Sequence, residues 1–280
     1  MKILVTGAGG QLGYDVCQTL SDRKIGYHGI RAADVDITDR AAVWNCVKNC
    51  RPDAVMHCAA YTAVDRAEDE PERCRAVNAE GTQNVALACR EFGAKMMYIS
   101  TDYVFSGLGE CFYRPEDPVG PLNVYGQSKL EGEMAVQTLL ERFFIVRTSW
   151  LFGSSGSNFV KTMLHVTGPK VDVVCDQVGS PTYSVDLAQL LCDMIMTMEY
   201  GVYHATNEGV CSWAEFAQEI FRLSGHNVQV NPVPASRYAA KAVRPFNSRM
   251  EKSGLEREGF SRLPPWQDAL ERYLRRAARS

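Results

Sequence analysis

Thr6-Gly7-Ala8-Gly9-Gly10-Gln11-Leu12-Gly13 follows the apolar run Ile3-Leu4-Val5 and opens a helical pattern at Gln11. Its reading decides the fold. Gly7, Gly10 and Gly13, spaced three apart, let the backbone turn sharply and approach a pyrophosphate, whose charge then faces a helix N-terminus. The spacing is G-x-x-G-x-x-G rather than G-x-G-x-x-G, and a tight strand-to-helix turn without a ligand is the plainer alternative. Its place directly after an N-terminal strand favours dinucleotide binding.

Outward from this turn, short β-branched runs alternate with longer helical patterns, as in a series of βαβ units. Strands are expected at 3–6, 27–30, 54–58, 95–100 and 144–147, and all but the second are apolar enough to be buried on both sheet faces. Helices are expected at 11–21, 39–49, 72–92 and 123–140, with Asp39 as an N-cap and Gly93 just past a helix end. The predicted architecture is an α/β, Rossmann-like doubly wound parallel sheet over residues 1–150. Residues 151–280 are expected to form mainly a small α/β C-terminal substrate-binding lobe, with some segments returning to the sheet. Regularity fades there, around loops at 153–157 and 179–182. Ser212-Trp213-Ala214-Glu215 reads as a capping box opening an amphipathic helix to Leu223. Pro264-Pro265 precedes a final helix over 266–276, and Arg275, Arg276 and Arg279 suit a helix C-terminus.

Composition narrows the function. With 280 residues and 46% hydrophobic content the chain can bury a sizeable core, so disordered and fibrous classes drop out. Thirty basic residues against 33 acidic, a net charge of −3, argue against nucleic-acid polymers and anionic membranes as partners. The ten cysteines include no C-x-x-C pair, so zinc and redox dithiols have no support and most of the thiols read as small buried hydrophobes. The N-terminus lacks a signal-peptide pattern and no apolar run reaches membrane-spanning length; a cytoplasmic location is expected.

Tyr125-Gly126-Gln127-Ser128-Lys129 sets a tyrosine and a lysine four apart, on one helix face. A phenol titrates near pH ~10, and a neighbouring ammonium that stabilises the phenolate lets it exchange a proton at neutral pH. Thr101, in Ile99-Ser100-Thr101-Asp102-Tyr103, should emerge at the carboxyl end of a strand, where its hydroxyl can bind an oxygen whose charge changes during hydride transfer. Arg31 favours a cofactor with a 2′-phosphate, whereas Asp34 suits a free ribose hydroxyl; NADP(H) and NAD(H) both stay open.

The glycine turn, the Ser/Thr segment and the Y-x-x-x-K pair together resemble the extended short-chain dehydrogenase/reductases. Finer motifs resemble the dTDP-4-dehydrorhamnose reductase family: Cys58-Ala59-Ala60-Tyr61-Thr62-Ala63-Val64-Asp65, Ser100-Thr101-Asp102-Tyr103-Val104-Phe105, Arg147-Thr148-Ser149-Trp150, Asp176-Gln177-Val178-Gly179-Ser180-Pro181-Thr182, and Arg244-Pro245 with Asn247-Ser248-Arg249. The resemblance implies NAD(P)H-dependent reduction of the 4-keto group of dTDP-4-dehydrorhamnose. In that reaction Tyr125 would be the proton donor, Lys129 would lower its pKa and hold the cofactor ribose, and Thr101 would bind the reacting oxygen. It also implies that Gly7, Gly10, Gln11, Leu12 and Gly13 line the diphosphate, Asp36 and Ile37 the adenine side, and Ala59, Ala60 and Tyr61 the middle of the cofactor. Asp102, Tyr103, Trp150 and Arg244 fall at substrate positions, and Arg244 and Lys161 suit a diphosphate. Tyr61 and Arg66 depart from the family's usual histidine and lysine. Some members bind Mg²⁺ at a dimer interface; Asp15 matches such a position only loosely, so no metal ligand is assigned, and a homodimer stays open. Another nucleotide-sugar ketoreductase or epimerase and a non-catalytic NADP-binding regulatory subunit are the competing readings.

Overall fold

In the computed structural model, which describes residues 1–278, β1 (Lys2–Thr6) lies inside a six-stranded parallel sheet. Ile3, Leu4 and Val5 are all buried, as a strand covered on both faces requires. The other strands are β2 (Gly26–Ile30), β3 (Ala54–His57), β4 (Lys95–Thr101), β5 (Phe143–Thr148) and a sixth, Gly201–His204. Their order across the sheet is β2-β1-β3-β4-β5 and then the sixth strand. The chain leaves β1 towards one edge to form β2, then returns past it to form β3. That reversal opens a crevice beyond the carboxyl ends of β1 and β3, where open α/β sheets hold ligands.

Strand side chains alternate between two apolar layers. Ile3, Val5, Met56, Met97 and Phe144 pack beneath α1 (Gln11–Asp22) and a later helix, Ser184–Met194. Leu4, Val55, Met96, Tyr98 and Ile145 pack beneath α2 (Arg40–Cys50), α5 (Thr82–Phe92) and α6 (Val124–Leu139). Asp39 caps α2 by accepting from the amides of Ala41 and Ala42, and Gly93 ends α5 in the left-handed region at φ +71°.

The single helix expected over 72–92 is interrupted. After α3 (Val64–Ala67), the chain forms α4 (Pro71–Arg75), a π-helical turn at Ala76–Gly81, and then α5. Asn78 sits in that turn. Its side chain accepts from the Tyr61 amide at 2.8 Å and donates to the Tyr61 carbonyl and the Ser128 hydroxyl, both at 3.0 Å. Its own carbonyl accepts from Thr82 and Tyr98. A 3.6-residue apolar period passes through one wider turn without a visible break.

The chain beyond 150 returns to the sheet twice. The Ser184–Met194 helix packs on α1, and Gly201–His204 pairs with β5 from Gly201 opposite Phe144 to His204 opposite Arg147. The remaining helices are α7 (Phe159–Leu164), α9 (Trp213–Ser224), α10 (Ser253–Arg257) and α11 (Trp266–Ala277), the Ser184–Met194 helix being α8. Phe152, Phe216, Ile220, Trp266 and Tyr273 form a separate core among α7, α9 and α11. The capping box is present: Glu215 N–H donates to Ser212 Oγ while Glu215 Oε2 accepts from the Ser212 amide. Arg275 and Arg276 lie in the last turn of α11; Arg279 lies outside the described residues.

Glu133 on α6 and Arg147 on β5 form a bidentate ion pair at 2.9 and 2.7 Å, with both side chains almost wholly buried. A third guanidinium nitrogen donates to the Pro115 carbonyl. Among the described residues, no helix is long and apolar enough to cross a membrane, and no cluster of three or more His, Cys, Asp or Glu could hold a metal ion.

Candidate active site

The glycine turn closes tightly against β3. Gly7 has φ +67°, and a Cβ there would lie 2.6 Å from the Ala59 amide nitrogen. At Gly13 a Cβ would lie 2.2 Å from the Gly7 carbonyl oxygen. Only bare backbone fits both places. No side chain caps the first turn of α1, so its amide groups stay available to an anion.

A cleft of about 730 Å³ opens beside this turn, lined by Gly7, Gly10, Arg31, Asp36, Ile37, Ala59, Ala60 and Arg73 among others. Its size suits a dinucleotide half and its floor is the cradle that added Cβ atoms would fill. Not every residue expected at the cofactor lines it. Leu12 turns into the core beneath the sheet, and Gln11 accepts from Asn158 at 2.9 Å. Gly13 gives its space to the turn itself, and Tyr61 donates its phenol proton to Glu70 at 3.0 Å. Arg73 was not anticipated, because nothing in its local sequence marks it; it reaches the cleft from α4 while pairing with Glu70. Arg31 and Asp34, read as alternatives, form an exposed ion pair with each other at 3.2 Å. The Asp36 carboxylate accepts from the Thr38 amide and hydroxyl, which hold its pKa below the usual range.

At the carboxyl end of β4, Thr101 accepts from the Tyr103 amide at 3.2 Å and donates to Asp102 Oδ1 at 2.9 Å. Tyr125 enters from the first turn of α6. That turn is capped by Asn123, whose Oδ1 accepts from the Gly126 amide at 2.8 Å. A Cβ at Gly126 would lie 2.3 Å from the Tyr103 carbonyl oxygen, so the bare backbone lets the helix start rest on the strand end. The Tyr125 ring meets Tyr103 edge-on at 5.5 Å, and the Thr101 hydroxyl lies near enough to its phenol to favour the ionised form.

Burial pushes the Tyr125 phenol up, and the Thr101 hydroxyl opposes that rise. Lys129 lies one turn along α6, buried, with Nζ 4.1 Å from the centre of the Tyr98 ring. Burial brings its pKa down to about 7, against the nearby Glu133 carboxylate. In this arrangement the group that lowers the Tyr125 pKa is Thr101, while the Lys129 ammonium sits over the Tyr98 ring.

Other expected substrate residues have partners of their own. Asp102 is 2% exposed, and Oδ2 accepts from Ser248 Oγ at 2.5 Å. Burial raises its pKa to about 6 against the Ser248 and Thr101 hydrogen bonds. Arg244 forms a bidentate pair with Asp65 at 2.6 and 3.0 Å and lies beside Tyr103, whose pKa it lowers against burial. Lys161 Nζ donates to the carbonyls of Ser154 and Gly156, which places it on its own loop. Trp150 adopts a left-handed φ of +47° and stacks on Trp213 at 3.6 Å. A second cleft, about 830 Å³, runs past Asp65, Phe159, Trp213, Tyr238, Arg244 and Phe246. Arg244 joins this cleft to Tyr103, and so to the ring edge of Tyr125.

A parallel sheet with a reversal at β1/β3, a glycine cradle there, and a threonine and a Tyr-x-x-x-Lys helix at the next strand end define an extended short-chain dehydrogenase/reductase. Comparison with known proteins narrows this. The chain belongs to the RmlD substrate binding domain family, whose model matches residues 1–279. It is 43% identical over 276 residues to the dTDP-4-dehydrorhamnose reductase of Streptomyces griseus, covering 95% of this chain and 91% of that one. It is 40% identical to the spore coat polysaccharide biosynthesis protein SpsK of Bacillus subtilis, over 98% of this chain and 96% of the other. Among solved structures, dTDP-4-dehydrorhamnose reductase from Bacillus anthracis, in complex with NADP, superposes with a TM-score of 0.96 at 42% identity, covering 98% of this chain and 99% of that one.

Proposed function

We propose that this protein reduces the 4-keto group of dTDP-4-dehydrorhamnose to give dTDP-L-rhamnose, consuming NADPH or NADH. The observation that carries the reading is the juxtaposition of two hydroxyls, Thr101 and Tyr125, at the carboxyl end of β4. The family relationship supplies the substrate class. A reduced nicotinamide dinucleotide bound at the glycine cradle supplies the hydride. The residues suited to hold it are Gly7, Gly10, Asp36, Ile37, Ala59 and Ala60 along the cleft, with Lys129 at the ribose.

Tyr125 then acts as general acid. A phenol whose pKa is raised by burial stays protonated at neutral pH, which suits a group that must give its proton to a nascent alkoxide. Thr101 holds the same oxygen and stabilises the phenolate left behind. The second cleft suits the nucleotide sugar, with aromatic walls from Phe159, Trp213 and Tyr238 and a guanidinium from Arg244. For Arg244 to meet a diphosphate it must share with Asp65, whose carboxylate already holds it.

The test is direct. The protein is supplied with dTDP-4-keto-6-deoxy-L-lyxo-hexulose, and absorbance of the reduced nicotinamide is followed with NADPH and NADH in parallel. Oxidation matched by dTDP-L-rhamnose supports the reading; product formed without net cofactor use would replace it with a closed redox cycle of the epimerase kind.

Arg31 lines the adenosine end of the first cleft and is the cation placed for a 2′-phosphate. Arg31→Ala is expected to raise the KM for NADPH about tenfold, the size of one lost hydrogen bond between charged groups, and to change that for NADH by less than about twofold. Steady-state kinetics with both cofactors checks this. Equal loss for both would assign Arg31 to the loop rather than to the phosphate.

A further inference from the structure

Ser248 lies 146 positions from Asp102 in sequence, yet its hydroxyl donates to Asp102 Oδ2 at 2.5 Å. Both side chains, and that of Thr101, are at least 95% buried. Ser248 is firmly mounted: its amide donates to the Val178 carbonyl at 2.8 Å, and that of the preceding Asn247 to the Gly107 carbonyl at 2.9 Å. Gly179 allows the close seating, since a Cβ there would lie 3.0 Å from Ser248 Cβ and 2.9 Å from the Trp150 ring. The contact is therefore built by three separated chain segments.

The chemistry at its far end concerns one proton. Thr101 has a single hydroxyl hydrogen and two claimants for it. In the resting arrangement it goes to Asp102 Oδ1 at 2.9 Å. Once Tyr125 has given up its proton, the phenolate is the stronger claimant, and the hydroxyl rotates to it, exchanging its hydrogen bond to Asp102 for one to the phenolate with no covalent bond broken. How firmly Asp102 holds the hydrogen depends on how well its negative charge is satisfied elsewhere, and the side chain that satisfies its other oxygen is Ser248.

Resting on the reductase reading above, we propose that Ser248 is a positioning residue for the reaction: by satisfying Asp102 it frees the Thr101 hydroxyl to turn towards Tyr125 as the phenolate forms. Without Ser248, the buried carboxylate loses a donor that keeps its pKa, already raised to about 6, from rising further. It then protonates at higher pH and competes harder for the Thr101 hydrogen while ionised. The titratable and charged groups around Asp102 are the phenols of Tyr103 on its own strand end and Tyr125 on α6, with Arg244 from the C-terminal segment and Asp65 from α3 behind Tyr103. None of them replaces the lost donor to Oδ2.

Ser248→Ala is expected to lower kcat about tenfold, the size of one hydrogen bond to a charged group, with KM for sugar and cofactor within about twofold. The loss is confined to pH above the Asp102 pKa, because the protonated carboxyl no longer competes for the Thr101 hydrogen. In an Asp102→Asn background the same substitution costs nothing further, because the residue it acts through no longer ionises. Ser248→Cys, which keeps the side-chain volume with a weaker donor, repeats the comparison without a cavity. Independently of turnover, the ¹³C resonance of the Asp102 carboxyl titrates at higher pH in Ser248→Ala than in the parent. An unshifted titration, a loss that persists unchanged below the Asp102 pKa, or a loss that adds fully to that of Asp102→Asn would overturn the proposal. Absence of turnover in the parent protein would instead overturn the reductase reading, while the carboxyl titration still decides the Ser248–Asp102 coupling.

Discussion

Tyr125→Phe lowers turnover about a thousandfold, the middle of the range for loss of a general acid, while dinucleotide binding stays within about twofold. The size follows from what the substitution leaves in place. The ring keeps its edge contact with Tyr103 and its seat in the first turn of α6, so the only loss is the hydroxyl beside Thr101. No other phenol substitutes for it: Tyr103 is held towards Arg244, and Tyr98 points away to the carbonyls of Asn78 and Lys129. Single-turnover reduction and fluorescence titration with reduced cofactor separate the two quantities. Turnover within about tenfold of the parent would remove Tyr125 from the proton-donor role.

The second large effect is on stability. Glu133→Gln is expected to cost about 3–5 kcal/mol, since it leaves the Arg147 guanidinium buried without its counter-charge. In a chain of this size that is read as a fall of roughly ten degrees in Tm. The penalty is high because Arg147 is 4% exposed and its other partners, the Pro115 carbonyl and the Phe105 ring 5.0 Å from the guanidinium carbon, carry no charge. The same substitution acts on chemistry. The Glu133 carboxylate raises the Lys129 pKa against burial, which has brought it to about 7. Removing that charge lowers the value further, so the fraction of ammonium at neutral pH shrinks and the alkaline limb of activity moves to lower pH. Thermal melting and a pH profile on the same preparation check both effects. An unchanged Tm would mean that Arg147 finds another acceptor.

Much of this was legible in the sequence where one residue type has one use. The glycines at 7, 10 and 13 announce a cradle because no side chain fits there, and the strands β1 to β5 fall within about two residues of the apolar runs that marked them. Thr101 and Tyr125 were legible as a pair because strand-end hydroxyl and helix-face tyrosine belong to one chemistry. Charged side chains were not. Lys161 and Arg244 carry the right charge for a phosphate, but charge alone does not say which carbonyl or carboxylate will be nearer, and the fold supplies Ser154, Gly156 and Asp65. The strand Gly201–His204 was missed because four residues starting with glycine make no apolar run. Ser248 was legible only as part of the Asn247-Ser248-Arg249 motif and not by its role, since its partner lies 146 positions away.

The π-helical turn at Ala76–Gly81 makes the chain count its residues there. Each residue of an α-helix advances the next by about 100°. Deleting one residue from this turn would restore a regular helix with α4 and α5 near their present phase but without the bulge that carries Asn78. Asn78 would no longer meet both the amide and carbonyl of Tyr61. Many substitutions in the segment preserve that spacing, whereas a single-codon insertion or deletion displaces the Tyr61 loop and the back of α6 together. Across relatives, the length between Pro71 and Phe92 should therefore drift far less than the letters that fill it.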